Sequence, residues 1–253
     1  MKFYYWLFFT LLVVFACKQP DKKIEQTNEE QQTSPDTTIA PSTNVVEEYA
    51  SFVATLDTLN VYSISKAAQK FEVLFAKADS TKADSGYIVF SKLYDKINSV
   101  LNDQNVKDST NYDAYVSGNE PNGTKTRKAT ERVKKLKENG FAFDMTEGST
   151  YIREDRNFLA QYFYPRVSKT MRDYLVEVNK ENEEGFIDDA GLLITPLALS
   201  ERILWWEAFL KQHPSFAFVD EIKQMQKGYI TFLLQGIDNT PLINYNTKKI
   251  EKN

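Results

Sequence analysis

Between Asp155 and Asn182 the side chains of Ala160, Phe163, Val167, Met171, Tyr174, Leu175 and Val178 recur at intervals of three and four residues. That spacing lays them along one stripe of an α-helix, with the remaining positions left to solvent. The stripe keeps its phase across Pro165, which is expected to kink the helix or divide it in two. The same period returns along most of the chain, and it excludes a fold dominated by strands.

Two shorter segments carry it upstream. Residues 66–78 place Phe71, Leu74, Phe75 and Ala78 on one face, and residues 87–101 do the same with Phe90, Tyr94, Ile97 and Leu101. They read as an antiparallel pair joined by the polar link 79–85. Downstream, Thr195 followed by Pro196 is a helix start with proline at the first helical position. Leu199, Ile203, Trp206 and Leu210 form its stripe, and His213-Pro214 ends it. A second helix follows from about Ser215 to Gln235, with Phe218, Ile222, Met225, Tyr229, Phe232 and Leu233 on one face and Gly236 at the cap. A shift of 135 residues superposes Phe71 on Trp206 and Tyr94 on Tyr229, so the two hairpins read as candidate internal repeats.

One stretch departs from the helical period. Phe141, Phe143 and Met145 alternate before a Glu147-Gly148 turn, with Tyr151 and Ile152 beyond it, which predicts a small β-hairpin near 141–153. The polar, Gly- and Pro-containing residues 102–124 read as a long loop. Residues 125–138 hold seven Lys or Arg against two Glu, with Ala129, Val133 and Leu136 as a narrow stripe. This basic helix reads as a solvated face, or as one that touches anionic lipid or a cell-wall polymer. The fold class is therefore all-α, built mainly of helical hairpins stacked in a repeat-like way, with one β-hairpin. The helical domain spans 45–245, divisible into 45–124 and 125–245, with a polar tail at 246–253.

The N-terminal end is of another kind. Lys2 precedes an apolar run from Phe3 to Phe15, and Ala16 precedes Cys17, the single cysteine. Roughly 13 apolar residues are too few for a comfortable membrane span, and the pattern is that of a secretory signal. Val14-Phe15-Ala16-Cys17 resembles the lipobox of bacterial lipoproteins, with Val14 and Phe15 standing where that family more often has Leu and a small residue. The resemblance implies cleavage of residues 1–16 and acylation of Cys17, an anchor in the lipid bilayer, and a place in the cell envelope. The expected membrane is the outer one, with the domain facing the periplasm or the cell surface. A lone cysteine agrees with it, since exported proteins usually pair their cysteines or avoid them. Residues 18–44 are rich in Gln, Glu, Thr, Ser, Asp and Pro and read as a disordered tether, with a reach of roughly 25 to 30 Å.

The stretch ILWWEAFLKQHPS is similar to the end of a tetratricopeptide repeat, with Trp206 and Pro214 at the spacing of its aromatic and proline. Arg202 and Phe209 occupy positions where that family packs small residues, and no 34-residue array surrounds them. The resemblance implies stacked helical hairpins and not a true array.

For chemistry the sequence is mostly exclusive. With one histidine and one cysteine it contains no usual zinc site, no HExxH, no GxSxG and no Cys-His dyad. No Gly-rich phosphate loop points to a cofactor, and a net charge of −4 together with export argues against nucleic acid as a partner. Carboxylates are left as the only acid-base groups, as in a glycan hydrolase working through a pair of them. No catalytic residue is assigned. The pair Asp188-Asp189 is the most notable, and its plain reading is a helix N-cap. Glu207, near its helix stripe, calls for a partner such as Arg202 or Arg153. By the helical wheel Trp205 points away from Ile203, with Glu201 one turn before it, so either a second layer covers it or it is exposed for binding. Candidate binding residues are Trp205, Glu201, Asp188 and Asp189, with Glu147 and Arg153 of the hairpin. The expected role is a tethered module that binds an envelope protein or glycan; an envelope glycan hydrolase is the alternative.

Overall fold

The computed structural model describes residues 44–241 apart from 109, 111, 114, 115 and 117–126. The expected signal peptide, Cys17, nearly all of the tether and the 246–253 tail lie outside these residues, and the 102–124 loop lies largely outside them. Eight helices and two small antiparallel hairpins are described, so the all-α class with a β-hairpin holds. Among the described residues no helix is long and apolar enough to cross a membrane.

The first three helices form a layer. α1 (Val45–Ala54) begins at Asn44, whose side chain accepts from Val46 N at 3.1 Å. α2 (Tyr62–Leu74) buries Ile64, Ala67, Ala68 and Phe71, and Tyr49 of α1 donates its hydroxyl to Ala67 O at 3.1 Å. α3 (Ser80–Lys107) starts from an Asp79 cap that accepts from Lys82 N. The expected link 79–85 is thus mostly helix, because the Asp79 cap ties down the free N–H groups of the first turn. Gly86 of α3 lets Phe75 approach; a Cβ there would lie 2.5 Å from the Phe75 ring.

α3 also runs through Lys107, past the expected loop start at Asn102. Its polar end is used against the hairpin. Asn102 accepts from Ile152 N at 2.8 Å and donates to Ile152 O at 2.7 Å, and Asn105 donates to Thr150 O at 2.9 Å. Those groups are the outward-facing backbone of β2, so two asparagines take the place of a third strand.

α4 (Arg127–Glu138) is the basic helix, and several of its charges pair within the domain. Arg132 and Lys128 both reach Asp108, at 2.8 and 3.0 Å. Burial opposes ionisation of Asp108, yet hydrogen bonds led by Thr110 hold its carboxyl well below the usual range. Gly140, at φ +79°, ends this turn and leads into β1 (Phe141–Thr146), which pairs with β2 (Ser149–Glu154). Glu147 and Gly148 both have positive φ, the conformation a two-residue hairpin turn demands.

Pro165 divides the next stripe, as its missing N–H requires. α5 (Asn157–Tyr162) ends before it, and α6 (Lys169–Glu184) restarts at Ser168, which caps Met171 N. A second, very small hairpin follows, β3 (Ile187–Asp188) and β4 (Gly191–Leu192). α7 (Pro196–Gln212), capped by Thr195, and α8 (Val219–Gln235), closed by Gly236, form the C-terminal hairpin.

Two apolar cores result. The first draws on residues from Tyr49 to Leu175 and so runs across position 125. The second is Leu199, Trp206, Phe209, Ile222 and Tyr229. Tyr174 and Phe216 pack against both.

Candidate functional site

The stripe of α6 does not stop at Val178. One turn later the same face carries Glu181, only 6 % exposed, and it meets the inward faces of α7 and α8. Trp206 Nε1 donates to one of its oxygens at 2.7 Å, and the Tyr229 hydroxyl donates to the other at 2.7 Å. Burial raises the pKa of Glu181, while these two hydrogen bonds and the charge of Arg202 hold it down in part. Burial likewise pushes the Tyr229 hydroxyl up, and Glu181 adds to it.

Arg202 enters from the same side. Its Nη2 donates to Glu184 Oε2 and to Gly185 O, both at 2.9 Å. Its Nε and Nη1 are buried and have no hydrogen-bond partner. Arg202 and Phe209, bulky where a tetratricopeptide repeat is small, fill the space between helices here: both are buried.

Glu181 and Arg202 form one wall of a cleft of about 620 Å³. The hairpin pair lines the same cleft, with Asp144 and Thr146 of β1, Arg153 of β2 and Asp188 of β3. Arg156 lines it as well, and Phe186 and Met225 supply apolar surface. Three guanidinium groups and three carboxylates therefore face one space. Most of them are paired: Arg153 Nε lies 2.8 Å from Asp144 Oδ2, and Arg156 Nη2 lies 3.0 Å from Glu154 Oε2.

A smaller cavity of about 140 Å³ lies beside Tyr87, Tyr94, Asp95 and Glu154. Burial pushes the Glu154 carboxyl up to about 7, with Arg156 opposing and Asp95 adding to the rise. Ligand cavities usually span roughly 300 to 1,000 Å³, so this one is too small to hold a sugar ring between two carboxyl groups.

Of the expected site residues, the structure brings Asp188 and Arg153 together in the cleft. Asp189 lies just beyond, in the turn of the second hairpin at φ +46°. The helix-cap reading of Asp188-Asp189 is therefore corrected. Asp189 and Ala190 both take positive φ, which a two-residue hairpin needs and which Asp tolerates. Glu147 is at the exposed tip of the first hairpin, and Glu201 is exposed on α7. Glu207 is exposed and needs no partner; Arg202 pairs with Glu184 and Arg153 with Asp144. Among Glu147, Glu154, Asp188, Asp189, Glu201 and Glu207, Asp188 alone lines the large cleft.

Trp205 is half-buried and packs on the second core. Its ring lies parallel to that of Phe209, centroids 5.4 Å apart, and edge-on to Trp206 at 4.6 Å. The helical wheel gives only the direction of Cβ, and long rings four residues apart on one helix, here Trp205 and Phe209, are neighbours that can stack. The residues that sequence reasoning passed over are Glu181 and Arg156. For Glu181 a signal existed, a carboxylate three residues beyond Val178 in the phase of the stripe.

Among the described residues no group of three or more His, Cys, Asp or Glu is placed to hold a metal ion. Compared with protein-family models, curated proteins and solved structures, the chain matches none of them.

Proposed function

We propose that the chain is an extracytoplasmic lipoprotein, anchored by acyl chains on Cys17, whose helical domain binds an envelope component through the cleft between α6, α7 and the two hairpins. In this reading the acyl chains hold the protein at the outer membrane, and the 18–44 tether lets the domain stand clear of the headgroups. What carries the binding role is the cleft itself, above all a buried Arg202 with idle donors at its wall. A group held that way is preorganised for a partner, since its orientation is set before the partner arrives. Two acyl signals or more make anchoring stable, at about 0.8 kcal/mol per buried methylene.

Glu181 is not placed to serve as the acid of a glycan hydrolase. Both oxygens of Glu181 already accept hydrogen bonds, so neither has a proton in reach of a leaving group.

The test has two arms. Mass spectrometry of the membrane fraction is expected to show a mature chain starting at Cys17 with added acyl mass; a membrane-bound Cys17→Ala protein would point to a signal anchor instead. Full-length protein in detergent micelles, immobilised and exposed to solubilised envelopes, is expected to retain envelope material. Ile187→Trp, which fills the cleft from β3, is expected to release it.

A further inference from the structure

We propose that the cleft takes a zwitterionic, peptide-like ligand, with its carboxylate on Arg202 and its ammonium group on Asp188. The proposal rests on the reading of this cleft as the binding site and adds the class of ligand. Arg202 is 3 % exposed; its Nη2 donates to Glu184 and Gly185 at 2.9 Å and reaches Glu181 O at 3.5 Å, and its side chain lies against the Tyr229 hydroxyl. Nε and Nη1 together carry three further N–H donors, buried and without a partner. Donors held idle in an interior are unfavourable until something accepts from them. A carboxylate is the group whose charge and lone pairs match a guanidinium best.

Asp188 lines the same cleft in the complementary condition. It accepts the Thr146 hydroxyl at 2.7 Å. The neighbouring arginines are committed elsewhere, Arg153 to Asp144 and Arg156 to Glu154. Among the described residues no basic side chain pairs with Asp188, so a cation from outside is what it lacks.

The overall balance points the same way. A bare anion would meet Asp144, Glu181 and Asp188, and a bare cation would meet Arg153, Arg156 and Arg202. A ligand carrying both charges, suitably spaced, satisfies both sets of groups. Phe186 and Met225 then cover the part between the charged ends, and about 620 Å³ is room for a peptide of two or three residues.

The experiment is calorimetry on the full chain in detergent micelles with three probes: alanyl-alanine, its C-terminal amide and its N-acetyl derivative. The amide is expected to bind about 10- to 100-fold more weakly than the free acid, because the buried guanidinium loses a charged acceptor. The N-acetyl form is expected to lose about 3- to 10-fold, because Asp188 is only partly buried. Asp188→Asn, an isosteric change on a short hairpin, is expected to abolish the preference for the free amine and keep the preference for the free acid. Arg202→Lys is expected to do the reverse.

Equal affinity for acid and amide, or an unchanged amine preference in Asp188→Asn, would overturn the assignment. If Ile187→Trp releases envelope material that none of the three peptides binds or displaces, the cleft stands as the site and the ligand class is wrong. If Ile187→Trp retains that material, the cleft reading falls and this inference falls with it.

Discussion

Around Phe163 the rings of Phe71, Tyr87 and Phe90 lie 4.4 to 5.3 Å away, packed ring against ring in the larger core. Around Trp206 the packing closes instead on a carboxylate, with Glu181 taking the indole and the Tyr229 hydroxyl as donors. The first core is large, and burial of apolar area is the main force that holds its helices together. The second has five buried residues, and its helices are held in register by a directional network as well. A shape-filled core tolerates a change of chemistry at constant volume; a network core does not. The cleft lies beside the second core, where polar groups are already fixed in place.

The largest test of this contrast is Phe163→Ala. Removal of a ring from the centre of the first core is expected to destabilise by about 3 to 5 kcal/mol, measured by urea denaturation. A loss below about 1 kcal/mol would mean that the aromatic cluster does not hold the domain together.

The next is pH. The Glu154 carboxyl rises from 4.5 in the unfolded chain to about 7 in the fold, and Glu181 shifts upward as well. The native state therefore binds these protons more tightly than the unfolded state does. That contribution is fully present below about pH 4.5 and is lost as pH rises through about 7, by at most roughly 3 kcal/mol from Glu154. Stability by urea titration is expected to fall between pH 5 and pH 8. Asp95→Asn removes a charge that helps to raise Glu154, so it is expected to flatten this slope. An unchanged slope would place the titration elsewhere, with Glu181 the remaining raised carboxylate.

The smallest and most discriminating change is Glu181→Gln. Volume is conserved, but an amide has a single acceptor oxygen for the two donors of Trp206 and Tyr229. A cost of about 1 to 3 kcal/mol is expected by the same denaturation assay. No measurable cost would mean that the second core, like the first, is held mainly by packing.

Much of the frame was legible in the residues. The stripes of α2, α3, α6, α7 and α8, the 141–153 hairpin, the division at Pro165 and the Thr195 cap all follow from period and local chemistry. Helix ends were less legible. α2 begins at Tyr62 and α3 continues through Lys107; Asn102 and Asn105 read as loop formers when their partners on β2 are out of sight.

Of the site, Asp188 and Arg153 stand out in the sequence, but for different reasons from those the fold supplies. Asp188 was expected at a helix end and lies in a hairpin that shares a wall with β1. Arg202 was marked as an obstacle to close helix packing, and it becomes the buried cation of the cleft. For Trp205 the helical wheel leaves open a covering layer or exposure, and the structure shows it half-buried and stacked on Phe209.

What the sequence determined by itself is what local physics decides: which segments wind into helices, where caps and a proline stop them, and which face of each is apolar. The pairing of Glu181 with Trp206 and Tyr229, 25 and 48 residues away, and the meeting of Arg202 with Asp188 across one cleft were decided by tertiary structure. A charged residue on an apolar stripe shows that a partner is needed. Its identity depends on how the helices cross and which side chains come within hydrogen-bond distance, and no periodicity along the chain encodes that.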